Sequence, residues 1–165
     1  MRVSELAVSL PVVDRGMSAL AAAQIIARDS RATIVVANQA GRPEAVLSAV
    51  DVLRALMPRY VLDDASLAAV FDEKGADEVW REVKVQTIGE LIDDEESRVM
   101  GILVVDADAT LLDVAAQMAQ ERALVAVVKG QQGESPKFVT LPTVLDAVLH
   151  SGFSSGDADS SDSRA

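Results

Sequence analysis

Along this chain the spacing of apolar residues changes in a fixed order, and that order occurs twice. Met17, Leu20, Ala21, Ala23 and Ile25 recur at helical spacing up to Arg28-Asp29, and Thr110, Leu111, Val114, Ala115 and Met118 do the same later. Each stretch predicts an amphipathic helix. Next come short apolar runs of strand composition, Ala32-Thr33-Ile34-Val35-Val36 and Leu124-Val125-Ala126-Val127-Val128. They lead into Asn38-Gln39-Ala40-Gly41 and Gly130-Gln131-Gln132-Gly133, which read as hairpin turns. A second short strand follows, Glu44 to Leu47 and Lys137 to Val139, and then a helix, Ala49 to Met57 and Leu141 to Leu149. With strands at Val12-Val13 and Ile102 to Val105, each copy reads strand, helix, strand, strand, helix.

The two copies align without a gap. Residues 13 to 57 match residues 105 to 149 at a constant offset of 92, and twelve of the 45 pairs are identical, among them Val13/Val105, Leu20/Leu112, Val36/Val128, Gly41/Gly133 and Leu53/Leu145. The period is far longer than that of a solenoid, so each copy is a substantial unit. A unit of about 60 residues buries too little surface to be more than marginal alone, which predicts that the lobes pair. The likeness extends upstream, since Val3-Ser4-Glu5-Leu6 resembles Ile88-Gly89-Glu90-Leu91, but the second copy carries seven extra residues before Val105.

Between the copies, Pro58 to Val83 keeps helical spacing at Leu67, Val70, Phe71, Val79, Trp80 and Val83, and holds three of the five aromatic residues. Two short helices separated by Gly75 are expected, packed as a cap on the apolar edge of the lobes with a buried Trp80; a self-association or partner surface is the other reading. The chain thus divides into a first repeat (1–57), a helical connector (58–86), a second repeat (87–150) and an acidic, Ser-rich tail (151–165) expected to be disordered.

Composition narrows the function. A formal charge of -11 and a pI near 4.4 argue against nucleic acid or an anionic membrane as partner, since both require a positive surface. With no cysteine there is no disulfide framework and no thiolate chemistry. No apolar run approaches a membrane span, and Glu5 and Asp14 interrupt the N-terminus too soon for a signal peptide, so a cytoplasmic location is expected. Enzyme motifs are missing too: there is no phosphate loop, no dinucleotide fingerprint and no paired metal-binding histidines, and the single histidine, His150, sits where it would cap a helix end. The acidic run Asp93 to Glu96, and Asp106 with Asp108, read as solvated loops in preference to divalent-ion sites, because no converging ligands are spaced around them.

The chemistry concentrates where the last strand meets the last helix. Copy one reads Ala45-Val46-Leu47-Ser48-Ala49-Val50-Asp51, and copy two reads Lys137-Phe138-Val139-Thr140-Leu141-Pro142-Thr143. Ser48 and Asp51 make a capping box, worth ~1 kcal/mol. The same hydroxyl and carboxylate, at a helix N-terminus with free amides, can also hold an anion and the two hydroxyls of a ribose. Both readings stand on these residues alone.

In its repeated element order and in this terminal pattern of small residue, two apolar residues, Ser or Thr, two further residues and Asp, the chain resembles the CBS domain family over residues 1–57 and 87–150. The resemblance implies an α/β fold of tandem CBS repeats, packed as a pseudo-twofold pair (a Bateman module) with the helical insert between them. It also implies a regulatory, non-catalytic sensor that binds AMP, ADP, ATP or an S-adenosyl compound between the repeats and alters association with itself or with an enzyme or transporter. A ligand-free structural dimerisation module is the alternative. Carried over, Ser48 would meet a phosphate and Asp51 the ribose. Val46, Gly101, Ile102 and Leu103 would line the adenine, with Ala123, Leu124 and Val125 beside it. Copy one has Ala45 where the family has Gly, which would narrow the backbone approach. Copy two has Lys137 at that place and Thr143 in place of Asp, so its cleft is degenerate: Thr140 keeps a phosphate hydroxyl and Lys137 adds charge, but the bidentate ribose contact is gone. Arg54 and Arg98 are further candidates for phosphate charge. A homodimer is expected from the family habit of stacking two pairs into a disc.

Overall fold

The computed structural model describes residues 1–29, 33–130 and 133–153. Its chain divides into two compact units that cut across the order of the repeats. One is continuous, Pro11–Gly101; the other joins Met1–Leu10 to the chain from Ile102 onward. The division by chain order into 1–57, 58–86 and 87–150 therefore does not describe the packing. Each repeat's leading segment belongs to the other repeat's core.

Met1–Leu10 contains α1 (Val3–Leu6). The continuous unit then runs β1 (Val12–Asp14), α2 (Ala19–Arg28), β2 (Thr33–Ala37), β3 (Pro43–Ser48), α3 (Ala49–Ala55), α4 (Arg59–Asp63), a 3-10 turn Ala65–Val70, α5 (Glu73–Glu82), α6 (Ile88–Asp93) and β4 (Met100–Gly101). The rest of the discontinuous unit runs β5 (Leu103–Val105), α7 (Leu111–Glu121), β6 (Val125–Val128), β7 (Lys137–Thr140) and α8 (Leu141–Val148), closed by a π turn Leu149–Phe153. Ser151 to Phe153 are thus helical where a disordered tail was expected. The remainder of the tail, like Ala32 and the Gln131-Gln132 turn, lies outside the described residues.

The repeat is visible as register. In one sheet β1 pairs parallel with β2, Val13 opposite Val36, and β2 pairs antiparallel with β3, Ile34 opposite Leu47. In the other, Val105 lies opposite Val128 and Ala126 opposite Val139, the same partners displaced by 92 positions. Ser18 caps α2 by accepting from the Ala21 amide at 3.1 Å, and Thr110 caps α7 by accepting from Asp113 at 3.2 Å. Gly41 and Gly133 both take positive φ, 75° and 95°, in the loops after β2 and β6, where a side chain would be strained.

The exchanged leading segments also follow one plan. In the continuous unit the Ile88 amide donates to the Met17 carbonyl (2.8 Å) and the Gly89 amide to Arg15 (2.8 Å). In the discontinuous unit Val3 donates to Ala109 (3.0 Å) and Ser4 to Ala107 (3.3 Å). Ile88 and Val3 are both fully buried, each in the core of its unit. Strand edges are covered in the same way: Met100 pairs antiparallel with Val46, and Val8 bridges Phe138 through two 2.8 Å bonds. Arg15 adds a clamp, reaching Glu44 at 2.7 Å and Asp93 at 2.5 Å, and its hydrogen bonds to Asp93 and then Glu44 raise its affinity for the proton further. The seven-residue difference in the sequence falls between these two kinds of contact, so α1 and α6 correspond at one offset and the strands at another.

The insert is helical, as its spacing predicts, but it is not a buried cap. Of residues 58–83 only Val61 is buried, while Trp80 is 52% exposed and Val70 79%. The buried Trp80 expected above is corrected accordingly: the apolar face of α5 is real, but none of its residues joins the core cluster of the unit. Gly75 does not divide two helices either. It lies in the first turn of α5, where its amide donates to the Asp72 carboxylate at 2.8 Å and the break falls at Phe71-Asp72.

Candidate functional site

Ser48 is the last residue of β3 and the N-cap of α3, in extended conformation at φ -84° and ψ 164°. Its hydroxyl accepts from the Asp51 amide at 3.2 Å and donates to Asp51 Oδ2 at 2.8 Å, and its own amide donates to the same Oδ2 at 2.7 Å. The capping box is complete. Both side chains are half-buried, and both bonds to the carboxylate use Oδ2, so among the described residues Oδ1 has no hydrogen bond from the chain. One oxygen fixes the helix start while the other stays open to an external donor.

Strand alternation sorts the neighbours. Ala45 and Leu47 turn into the core shared with Ile34, Val52 and Ile88, whereas Val46 faces the other side of the sheet, also buried. The Ala45 methyl therefore fills the core and does not narrow an approach to Ser48, contrary to the expectation from its replacing Gly. Gly101 lies opposite Ala45 on β4 and is exposed; a methyl there would come no nearer than 3.9 Å to the Glu44 carbonyl, so that edge is open. Val46, Ser48, Asp51 and Gly101 thus all lie in the continuous unit, Ser48 bonded to Asp51 and Gly101 paired with Ala45.

The remaining residues belong to the discontinuous unit. Ile102 is half-buried, and Leu103 opens β5 opposite Ala126. Arg122, left-handed at φ 55°, ends α7 and turns the chain into Ala123, whose amide donates to Met118 at 2.9 Å. Ala123 and Val125 are buried and Leu124 is 38% exposed, so Leu124 alone of the three presents a side chain at the surface. At the degenerate motif, Thr140 and Thr143 hydroxyls lie 2.8 Å apart, and the Thr143 amide donates to the Thr140 hydroxyl at 3.4 Å. The cap survives without a carboxylate. Lys137 is exposed, and its Nζ donates to Ser9 Oγ of the N-terminal segment at 2.9 Å.

Arg54 lies in the last turn of α3, away from the capped end, and lines a hollow of about 130 Å³ with Lys84, Asp94 and Ser97; Arg98 is exposed. Of the acidic run, Asp93 pairs with Arg15, and Asp94 and Glu96 pair with Arg59; Asp106 pairs with Lys129 at 2.8 Å. No group of three metal-ligating side chains occurs among the described residues. His150 Nδ1 lies 2.8 Å from the Asp146 carbonyl at the end of α8, the capping position expected for it. Arg15 was missed from the sequence. With Asn38, Gln39, Glu44 and Asp93 it lines an open polar hollow of about 520 Å³, and the only signal was that copy two has Ala107 at its place.

A CBS domain-containing protein of unknown function from Kribbella flavida DSM 17836 is 34% identical to this chain, over 90% of this chain and 99% of its own, with a TM-score of 0.68. The chain belongs to the CBS domain family. Other CBS folds are more distant: CBSX2 in complex with AMP is 18% identical over 90% of this chain and 96% of its own (TM-score 0.59). The cytosolic domain of the Mg2+ channel MgtE in complex with ATP is 20% identical over 88% of this chain and 48% of its own (TM-score 0.54). No protein-family model and no curated protein matches the sequence. Like the family's tandem α/β pairs, this CBS protein carries two sheets with helices, and none of its described helices is long and apolar enough to cross a membrane.

Proposed function

We propose that this CBS pair is a regulatory module that binds one adenosine-type ligand, AMP, ADP, ATP or an S-adenosyl compound, at Ser48 and Asp51. The observation that carries the reading is the asymmetry of the two capped strand ends. Copy one keeps a hydroxyl and a carboxylate with Oδ1 unoccupied, whereas copy two has closed the same position with two hydroxyls bonded to each other. A ribose diol donates two hydrogen bonds and is met best by a charged carboxylate, and of the two capped strand ends only that of copy one carries one. Ser48 meets the phosphate in this reading. Val46 and Gly101, in the same unit as Ser48 and Asp51, line the adenine in this reading, chiefly through backbone and aliphatic surface. AMP and ATP in the complexes of CBSX2 and the MgtE cytosolic domain support the ligand class.

Calorimetry and a thermal-shift panel of adenine nucleotides, S-adenosylmethionine and NAD test it, since a ligand that binds only the native state raises the midpoint. One equivalent per chain is expected. Two equal sites would mean the second motif is competent, and no heat or shift with any adenosine compound would leave the structural module as the function.

The same module forms a homodimer in this reading, supported by duplicated leucines that the fold leaves outside. Leu20 (49%) and Leu112 (79%), like Leu53 (55%) and Leu145 (53%), are identical between repeats yet exposed in both units, on helices that pack side by side. Cyclic symmetry lets one such face serve both subunits. Light scattering checks this: a monomer mass at micromolar concentration, with and without nucleotide, contradicts it.

A further inference from the structure

The insert is the part of the chain that neither the repeat nor either core requires. It has no counterpart in copy two, and none of its side chains joins the core of the continuous unit. It is nevertheless well built. Asp64 accepts from the Ser66 amide at 3.1 Å and from the Ser66 hydroxyl at 2.6 Å, Asp72 caps α5, and Arg59 pairs with Asp94 and Glu96. On this framework Tyr60, Leu67, Val70, Phe71 and Trp80 are all more than a third exposed. Phe71, Val79 and Trp80, with Val61 and Ala68 facing them, line an apolar hollow of about 70 Å³. That is about twice a water molecule's share of the liquid, room for the branched end of an aliphatic side chain.

The surroundings of the hollow select its occupant by charge. Residues 58–86 hold seven carboxylates against four basic side chains, of which Arg59 is already committed. Glu73 and Asp77, both exposed, lie seven and three positions before Trp80 and so share its side of α5. A second copy would bring the same acidic surface to itself. An anionic membrane or nucleic acid would be repelled as well.

We propose that the insert is a docking surface for a basic amphipathic helical segment of a partner protein. An aliphatic side chain of that segment seats against Phe71 and Trp80, and its Lys or Arg side chains meet Glu73 and Asp77. An aromatic anchor beside a charged rim is the arrangement in which a few residues carry most of a binding energy. The groove-on-helix mode also explains why α5 is presented to solvent with its apolar face uncovered. This inference is independent of nucleotide binding.

Trp80 is the single tryptophan and reports directly on the hollow. The probes are two synthetic peptides with the same helical leucine stripe, one bearing lysine and the other glutamate at the polar positions. The Leu/Lys peptide is expected to shift Trp80 emission to shorter wavelength with saturation, and the Leu/Glu peptide to leave it unchanged. Phe71→Ser, and separately Glu73→Lys with Asp77→Lys, should each weaken the Leu/Lys peptide by about tenfold or more. Gln120→Ser, at an exposed position of the other unit, should not. Glu73 and Asp77 are exposed, so their reversal keeps the test valid if Phe71→Ser disturbs α5, which circular dichroism reports. Undiminished binding by the charge-reversed variant, or equal binding of both peptides, overturns the proposal. So does a fall in the protein's own mass on Trp80→Ser, which would make a second copy the occupant.

Discussion

Ile88→Ala tests the exchange of leading segments most directly. Ile88 is fully buried in the core of the continuous unit, with Ile34, Leu47 and Leu91 in the same cluster, although by chain order it opens the second repeat. The substitution removes three carbons, worth about 2.4 kcal/mol at ~0.8 kcal/mol per buried methylene. The cavity adds to this, because α6 is pinned by its bonds to Met17 and Arg15 and cannot settle into the space. A loss of about 3 kcal/mol is expected, within the usual range for such truncations. Gln120→Ala, at an exposed position of α7, should cost less than about 0.5 kcal/mol. The place of the effect is as informative as its size. In hydrogen exchange followed by mass spectrometry, about 3 kcal/mol corresponds to roughly a hundredfold faster exchange wherever the weakened unit must open. That acceleration should appear in peptides spanning Thr33 to Ser48 and spare Val125 to Thr140. Loss of protection in Val125 to Thr140 with Thr33 to Ser48 unchanged would refute the assignment of α6 to the first repeat's core.

At the candidate site, Asp51→Ala should lower stability by about 1 kcal/mol with no nucleotide present, from the lost cap, and weaken AMP by a further tenfold or so through the lost ribose contact. Urea titration and calorimetry separate the two, and unchanged AMP affinity would remove Asp51 from the site. Thr143→Asp should raise the stoichiometry measured by calorimetry from one to two; if it stays at one, residue 143 is not what disables the second motif. Hydrogen bonds from the Ser66 hydroxyl and amide hold the Asp64 carboxyl below the usual carboxylate range. Its contribution to stability is therefore present above the ordinary value and is lost as pH falls through the lowered one. Carbon-13 NMR of Ser66→Ala should show Asp64 titrating at higher pH, and an unmoved titration would refute that cause.

The regular elements were legible because their periods differ and recur: helical spacing, then two short apolar runs, then helical spacing again, in both copies. Register followed from the gapless offset. The Ser48–Asp51 box was legible as well, because its bonds are local and need only three residues of helix geometry. Ala45 could have been placed in the core by alternation from Leu47, since residues two apart share a face. Comparison with the family's Gly drew attention to the cleft instead. Trp80 was misplaced for a more general reason: an apolar helical stripe shows which face seeks cover, but not whether the chain itself provides it. The exchange left one trace, the change of offset from 85 at Val3/Ile88 to 92 at Val13/Val105. Sequence alone does not say that a shifted segment has moved to another core, and that requires the bonds from Val3 to Ala109 and from Ile88 to Met17.

Because Pro11–Gly101 is continuous while its companion needs both Met1–Leu10 and the chain beyond Ile102, the two units cannot be completed in the order in which they start. As a ribosome delivers the chain, the first ten residues emerge with nothing to pack against: Ala109, which accepts from Val3, and Phe138, which bridges Val8, are made only after the whole continuous unit. The continuous unit can close as soon as Gly101 has appeared, and domains generally fold as units in the order of synthesis. Met1–Leu10 is then a deferred strap. A nascent chain stalled short of Phe138 would carry a finished first core and a Met1–Leu10 segment not yet attached and open to proteases.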